Sequence, residues 1–226
     1  LAKGFRLVGS SDGVKPKVIL DDWWKIAEGS YITSLEFENI EFQHASNNKY
    51  FMNADKSFTL ESVSFVNCDF IGLTRGFWRH QQATGKHIMN FEVEGCRFDK
   101  CGWQTGSYGL VDLRSFNDPT SYDQIDKAVF RNCTFSRDND GTAGFGWGNL
   151  FYAPYVDKPI QLEFKNITIY NYSLNKRLIN ISSAVGSELT IEGMVLASPS
   201  GDLYVAGANT TTHFSNNYTT KDYALG

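Results

Sequence analysis

The chain has 226 residues and a formal net charge of −4, from 21 Lys and Arg against 25 Asp and Glu. Its basic residues are scattered, so it lacks the positively charged patch that nucleic-acid-binding proteins present to phosphate groups. No apolar run approaches the roughly 20 residues that cross a bilayer as a helix. We therefore expect that this chain neither binds nucleic acid nor spans a membrane.

A short pattern recurs along the chain: apolar, any residue, apolar, any residue, Asn or Gly, apolar, any residue, apolar. Complete copies occupy residues 35–42, 63–70, 91–98, 128–135, 162–169 and 189–196, and partial copies occupy 5–9 and 214–216. The Asn or Gly positions from Gly9 to Gly193 are separated by 30, 28, 28, 37, 34 and 27 residues. A period in this range indicates a solenoid in which successive copies stack.

The residue types within each copy predict short strands. Alternating apolar residues form a strand with one buried face, and Asn and Gly tolerate the left-handed backbone angles of a sharp turn. A further apolar run follows in each copy, as at 110–113 and 178–181. Because such strands cannot bury a face alone, we expect them to stack into parallel sheets around a shared core. The predicted fold is all-β, a single-domain parallel β-helix of about seven to eight coils over residues 1–226, with 219–226 as a C-terminal tail or linker.

Three of the four cysteines follow the repeat. Cys68, Cys96 and Cys133 each stand directly after the Asn or Gly, where other copies have an apolar residue such as Ile40. We predict that they form an internal column of free buried thiols, although neighbouring coils would be close enough for a disulfide. Cys101 does not fit the column, and no cysteine spacing typical of a zinc site occurs.

Two consecutive copies contain longer connections than the others, namely loops 99–109 and 136–149. Long loops that interrupt a rigid repeat tend to carry function. Aromatic rings among glycines can present flat apolar faces to a sugar ring, and the polar side chains of these loops can bond its hydroxyl groups. The candidate carbohydrate-binding residues in the two loops are Trp103, Tyr108, Phe145 and Trp147. The alternative is that these rings only pack the loops onto the coils.

The apolar run after loop 99–109 adds polar candidates. If Val111 and Leu113 point inward, Asp112 and Arg114 point outward on one face. Tyr152, one copy later, is expected to align with Asp112.

One copy earlier, an inward Phe77 would turn Trp78 and His80 outward and Arg79 inward. The expected result is an outward column of Trp78, Asp112 and Tyr152, with an Arg or His nearby, that forms a shallow groove for a sugar.

Catalysis would require further groups. A uronate lyase needs a base that removes a proton beside a carboxylate and a cation that neutralises that carboxylate. The catalytic candidates are Arg79, His80, Asp112 and Arg114. A glycosidase would need two facing carboxylates, and Asp112 has no evident partner in register.

A metal site is the weaker expectation. Asp138 and Asp140 stand in a sequence that begins like a calcium loop, but the remaining ligands of such a loop are missing. We expect no cofactor, with calcium at these two residues as the alternative.

The repeated pattern resembles the right-handed parallel β-helices of the pectin-lyase-like superfamily, whose turn asparagines stack in a ladder. More closely, residues 1–218 resemble β-helix domains of unknown function in secreted or surface lipoproteins of bacteria that use polysaccharides. The resemblance implies right-handed coils and an extracellular or cell-surface location, with lipoprotein anchoring in a longer precursor. The absence of an initial Met agrees with a piece of such a precursor. The resemblance leaves the activity open, because this fold hosts lyases, hydrolases, esterases and binding proteins.

The function expected from these observations is polysaccharide binding through aromatic loops on one flank. One alternative is a uronate lyase that uses Arg79 or Arg114 with His80. The other is a structural spacer, whose aromatic loops meet other domains of the same polypeptide.

Overall fold

The computed structural model describes residues 3–46, 49–81, 85–102, 109–114, 123–136, 149–170, 177–197 and 202–220. Within these ranges every regular element is a β-strand, and the strands pair in parallel in three sheets. None of these residues belongs to a helix long and apolar enough to cross a membrane. The prediction of an all-β protein built from parallel sheets is confirmed.

The first sheet carries the first half of each repeated pattern. It contains eight described strands, and their order in the sheet is their order in the chain. They are β1 (Lys3–Val8), β3 (Ser30–Glu38), β6 (Phe58–Val66), β9 (Lys86–Glu94), β12 (Gln124–Arg131), β15 (Gln161–Lys165), β18 (Glu188–Glu192) and β21 (Thr211–Ser215).

The second sheet carries the half of each pattern that follows the Asn or Gly. Its eight described strands are shorter and again keep their chain order. They are β2 (Lys17–Leu20), β4 (Glu41–His44), β7 (Asp69–Ile71), β10 (Arg97–Asp99), β13 (Thr134–Ser136), β16 (Thr168–Tyr170), β19 (Val195–Ala197) and β22 (Tyr218–Thr219).

The third sheet is formed by the further apolar run of each copy and has six described strands. They are β5 (Tyr50–Ala54), β8 (Gly76–His80), β11 (Gly109–Leu113), β14 (Asn149–Tyr152), β17 (Arg177–Ile181) and β20 (Asp202–Ala206). From β3 onward the chain visits the first, second and third sheets in turn, a cyclic order that is consistent with a parallel β-solenoid.

The Asn or Gly between the first and second sheets sets the turn, as predicted. At these positions φ lies between 50° and 64°, in the left-handed region. The residues are Asn39, Asn67, Gly95, Asn132, Asn166, Gly193 and Asn216. Side chains of successive turns also bond to one another, because Asn67 Nδ2 donates to Asn39 Oδ1 at 2.7 Å and Asn166 Nδ2 donates to Asn132 Oδ1 at 3.1 Å.

Gly9 occupies the same place in the first copy for a different reason. Its φ is not in the left-handed region that the other turns share. A Cβ atom at Gly9 would lie 2.1 Å from the carbonyl oxygen of Asn39 and 2.6 Å from Cγ of Pro16. Glycine is required there because the backbone of the next turn approaches too closely for any side chain.

The in-register copies bring equivalent phenylalanines into stacks within the core. Phe70 lies between Phe42 and Phe98, with ring centroids 5.4 and 4.8 Å away and planes within 14° of parallel. Phe98 continues the stack to Phe135 at 4.9 Å. All four rings are buried, so these stacks contribute both apolar burial and ring–ring contacts.

The cysteine prediction is confirmed, and all four thiols are free and buried. Successive members of the column touch, since the backbone N–H of Cys68 donates to Cys96 Sγ at 3.3 Å. Cys101, outside the column, is also buried and donates its S–H to the carbonyl oxygen of Phe70. Burial raises the pKa of Cys101 and of Cys133 to about 12.

The segment 219–226, predicted as a C-terminal tail or linker, begins within the second sheet. Thr219 belongs to β22, and the backbone N–H of Thr220 donates to the carbonyl oxygen of Leu196 at 3.2 Å.

We expect Phe70→Ala to lower the free energy of unfolding by about 3–5 kcal/mol, because it removes a buried ring from the middle of a stack. Val66→Ala, at a 40% exposed position of β6, should change it by less than about 0.5 kcal/mol. Chemical denaturation followed by circular dichroism measures both, and equal losses for the two variants would contradict the assignment of the core.

The thiols should be inert in the folded protein, because a thiol must be exposed and ionised to react. We expect no reaction of the native chain with a disulfide reagent near neutral pH, and reaction of all four cysteines once denaturant unfolds it. A fast reaction of Cys133 in the native state would show that the column is not inside the solenoid.

Candidate functional site

One face of the third sheet collects polar side chains from neighbouring strands. The pairing places Arg79 opposite Asn53 and Asp112 opposite Arg79, and Tyr152 follows opposite Asp112. The predicted alignment of Asp112 with Tyr152 is therefore confirmed. We call this group of mostly buried side chains the polar face, and it consists of Tyr50, Asn53, Arg79, Asp112, Arg114 and Tyr152.

The prediction that Trp78 faces outward is wrong. Trp78 is fully buried, and its ring packs in the core at 5.3 Å from Phe91. In register, Trp78 pairs with Val111, and Arg79 takes the place expected for Trp78 beside Asp112. The expectation that Arg79 points inward is therefore also wrong.

The reason for this error is that the third sheet does not alternate strictly. Five of its six described strands send two consecutive apolar residues into the core, such as Phe77 with Trp78 and Leu150 with Phe151, and only β20 does not. Strict alternation assigned one member of each pair to solvent. The repeated apolar pairs in the sequence were the signal that could have corrected the prediction.

Each arginine of the polar face lies over a tyrosine ring. The guanidinium of Arg79 is 5.2 Å from the ring centroid of Tyr50, and that of Arg114 is 5.9 Å from Tyr152. The guanidinium of Arg75 also lies over the ring of Tyr50, 5.7 Å from its centroid. Such cation–π contacts hold the planar guanidinium groups in place.

Asp112 is the acidic centre of the polar face. Its carboxylate is fully buried and accepts a hydrogen bond from Nε of Arg114 at 3.0 Å, while Nε of Arg79 lies 4.0 Å away. Burial raises the pKa of Asp112 to about 6, although Arg114 and Arg79 act in the opposite direction. A buried carboxylate whose pKa is raised despite arginine neighbours is typical of a functional site.

Three buried polar atoms on this face have no hydrogen-bond partner. They are the hydroxyl of Tyr50, Oδ1 of Asn53 and Nε of Arg79. Because nine-tenths or more of buried polar groups in proteins are hydrogen-bonded, each such atom requires an explanation. These atoms lie on two paired strands, β5 and β8, which favours a single explanation for all three.

His80 also lies elsewhere than predicted. It is buried rather than outward, with its ring 5.7 Å from that of Phe58 and Nδ1 3.4 Å from Oδ2 of Asp123. Lys86 meets the same carboxylate from β9, with Nζ 3.5 Å from Oδ2. Sequence reasoning missed Asp123, because it comes from a later copy of the repeat.

Four aromatic candidates and both calcium candidates lie outside the described residues: Trp103, Tyr108, Phe145, Trp147, Asp138 and Asp140. Their roles stay predictions. Among the residues that the structure does describe, no group of three or more His, Cys, Asp or Glu side chains could hold a metal ion.

A separate apolar cleft of about 400 Å³ opens beside β1 and β3. Among the described residues, no strand pairs with β5 on this side, and the only contact of this kind is the bridge between Trp24 and Met52. Phe5, Trp24 and Ile32 are among the residues that line the cleft. It differs from the polar face in chemistry as well as in position.

No protein-family model, no curated protein and no solved structure matches this chain. The arrangement of its own side chains is therefore the basis for a functional assignment.

The raised pKa of Asp112 predicts a pH-dependent stability. The native state binds this proton more tightly than the unfolded chain, whose carboxyl has its ordinary value of 3.8. The stabilisation by the protonated form is therefore lost as the pH rises through about 6.

We expect wild type to lose up to about 3 kcal/mol relative to Asp112→Asn between about pH 4 and pH 7, at about 1.4 kcal/mol per pKa unit. Denaturation curves of both proteins at the two pH values measure this difference. If the difference in stability between the two proteins does not depend on pH, the pKa of Asp112 is not raised in the folded protein.

Proposed function

We propose that this chain is an extracellular polysaccharide-binding domain, a right-handed β-helix of about seven to eight coils, that holds an acidic polysaccharide at the polar face. The observation that carries the proposal is the set of unpaired buried atoms on Tyr50, Asn53 and Arg79. A hydroxyl, an amide oxygen and a guanidinium N–H together match the donors and acceptors of a sugar.

The preference for an acidic sugar follows from Arg79. The carboxylate of Asp112 already accepts a bond from Arg114, and Nε of Arg79 lies 4.0 Å from it, beyond hydrogen-bond distance. Arg79 therefore keeps donor capacity for an external carboxylate. A guanidinium presents paired donors that fit a carboxylate, which makes it better suited to an acidic sugar than to a neutral one.

Aromatic rings support the same assignment. Tyr152, half-buried at the end of β14, lies beside Arg114. A tyrosine ring offers a flat apolar surface against which the C–H groups of a sugar can pack. The predicted loop aromatics Trp103 and Trp147 would extend this surface if they lie beside it.

The uronate lyase remains an alternative with weaker support. His80, its proposed base, faces Asp123 and Lys86 rather than Arg79 or Arg114. Tyr50 lies beside Arg79, but burial raises its pKa, with a further contribution from Asp112, so it resists ionisation as a base. The geometry therefore favours binding over catalysis.

The alternative of a structural spacer that meets other domains has one observation in its favour, the apolar cleft beside β1. Its lining includes Phe5, a 45% exposed ring. Another domain of a longer polypeptide could cover such a surface, and this role is compatible with sugar binding at the polar face.

The proposal is tested by affinity electrophoresis and calorimetry with polygalacturonate, and with dextran as the neutral polysaccharide. We expect retardation by polygalacturonate alone, and a loss of affinity of at least about tenfold in Arg79→Met, because a hydrogen bond to a charged group contributes about 1.5–3 kcal/mol. Asn53→Ala should weaken binding less. Circular dichroism confirms that each variant is folded.

Arg97→Met is the matched control, because Arg97 is about half exposed and belongs to the second sheet. It should bind like wild type. Failure of every polysaccharide to retard the chain would contradict the proposal, and binding that survives Arg79→Met would move the site away from the polar face. Release of unsaturated uronate would establish the lyase instead.

A further inference from the structure

Three ionisable side chains meet in the interior at the corner between the third and first sheets. His80 ends β8, Lys86 begins β9 and Asp123 directly precedes β12. Their exposed fractions are 1%, 0% and 1%. Because β9 pairs with β12 and aligns His87 with Gln124, the preceding residues Lys86 and Asp123 are held side by side.

The two carboxylate oxygens of Asp123 have different surroundings. Oδ1 accepts a hydrogen bond from the backbone N–H of Lys86 at 3.1 Å. Oδ2 lies 3.5 Å from Nζ of Lys86 and 3.4 Å from Nδ1 of His80. Neither Nζ nor either ring nitrogen of His80 has a hydrogen-bond partner. The amine thus faces the carboxyl group closely without being fixed by a hydrogen bond.

We propose that Lys86 and Asp123 condense into an intramolecular isopeptide bond, an amide between Nζ and Cγ that staples neighbouring copies of the repeat. The bond requires no oxidant, metal or second substrate, since its formation releases only water. Its requirement is a neutral amine held against a neutral carboxyl group away from solvent.

The surroundings supply that requirement. Burial lowers the pKa of Lys86, against the opposing effect of Asp123, and lowers that of His80. Transfer of the ammonium proton to the carboxylate converts a buried ion pair into two neutral groups, which avoids the cost of keeping charges out of water. A deprotonated amine is a nucleophile.

The step balances within the three side chains. The nitrogen lone pair of Lys86 attacks Cγ of Asp123, and Oδ1 takes up the developing negative charge, to which the Lys86 backbone N–H already donates. His80 accepts a proton from the attacking nitrogen and returns it to Oδ2. The Cγ–Oδ2 bond then breaks, the amide remains and one water molecule leaves.

The bond would close a loop, because the two residues are 37 positions apart in sequence. A covalent link of this kind restricts the unfolded chain as a disulfide does. Unlike a disulfide, it would resist reducing agents. It uses no residue of the polar face, so its test is separate from that of the proposed sugar binding.

Intact-mass measurement of the purified, denatured full chain tests the proposal. We expect a mass lower than that of the sequence by one water, and a proteolytic digest that contains the peptides of Lys86 and Asp123 joined to each other. Lys86→Met, which keeps the apolar stem of the side chain, should show the full sequence mass. Asp123→Asn should form the same bond with release of ammonia, and its final mass should equal that of the wild-type product.

Two controls separate this bond from other dehydrations. Lys165→Met, at a solvent-accessible ion pair with Glu192, should retain the loss of water. A succinimide at Asp12–Gly13 or Asp140–Gly141 would also lose water, but it would persist in Lys86→Met and reverse in mild alkali. Wild type at the full sequence mass, or a loss of water that persists in Lys86→Met, would overturn the proposal.

The role of His80 has its own readout. His80→Phe should keep the core packed beside Phe58 but slow the loss of water after refolding, followed by mass at successive times. Bond formation at the wild-type rate in this variant would show that His80 does not transfer the proton.

Discussion

Register between successive copies is the constraint on which the rest of this structure depends. A one-residue shift in a strand would exchange its buried and exposed faces. Here the left-handed residue between the first and second sheets occurs at the same point of each copy, from Asn39 to Asn216. Backbone bonds such as Asn67 N to the Glu94 carbonyl oxygen repeat at each turn. The turn therefore fixes which residues lie above one another, and the phenylalanine and cysteine columns follow from it.

The same register creates the polar groupings. Asn53, Arg79, Asp112 and Tyr152 are distant in sequence, yet parallel pairing places them on consecutive strands. A solenoid thus brings side chains that are one copy apart in sequence next to each other. A change of residue type in one copy then changes one side chain of the column without changing the backbone. Lys86 is such a local change, because it pairs in register with Phe58 of the preceding copy, whereas the polar face continues over several strands, from Asn53 to Asn180.

Much of the fold could be predicted from the sequence, because the repeated pattern encodes both the strands and the turn between them. The first and second sheets and the free thiols of Cys68, Cys96 and Cys133 follow from that pattern alone. The third sheet was harder, because its strands place two adjacent apolar residues in the core. A simple alternation therefore assigned Trp78 and Arg79 to the wrong faces.

The candidate site was predictable only in part for a related reason. Asp112 and Tyr152 share a strand position that the period reveals, whereas the place of Tyr50 on the same face follows from the three-dimensional arrangement of β5. Asp123 follows a long connection, and its contact with Lys86 depends on pairing between β9 and β12. Local sequence patterns contain no information about such a contact until the register of the flanking strands is known.

Buried ionisable groups distinguish the two clusters from the remaining core. An unpaired buried polar group costs about 1–3 kcal/mol, and apolar residues of similar volume often stabilise such positions more. The core already buries long columns of Phe, Leu and Ile, so it does not need Arg79 or Lys86 for its cohesion. Because these groups oppose folding unless something engages them, a ligand at the polar face and an amide at the corner are physical reasons for their presence. Each would convert an unfavourable burial into a satisfied contact, one by binding and the other by covalent chemistry.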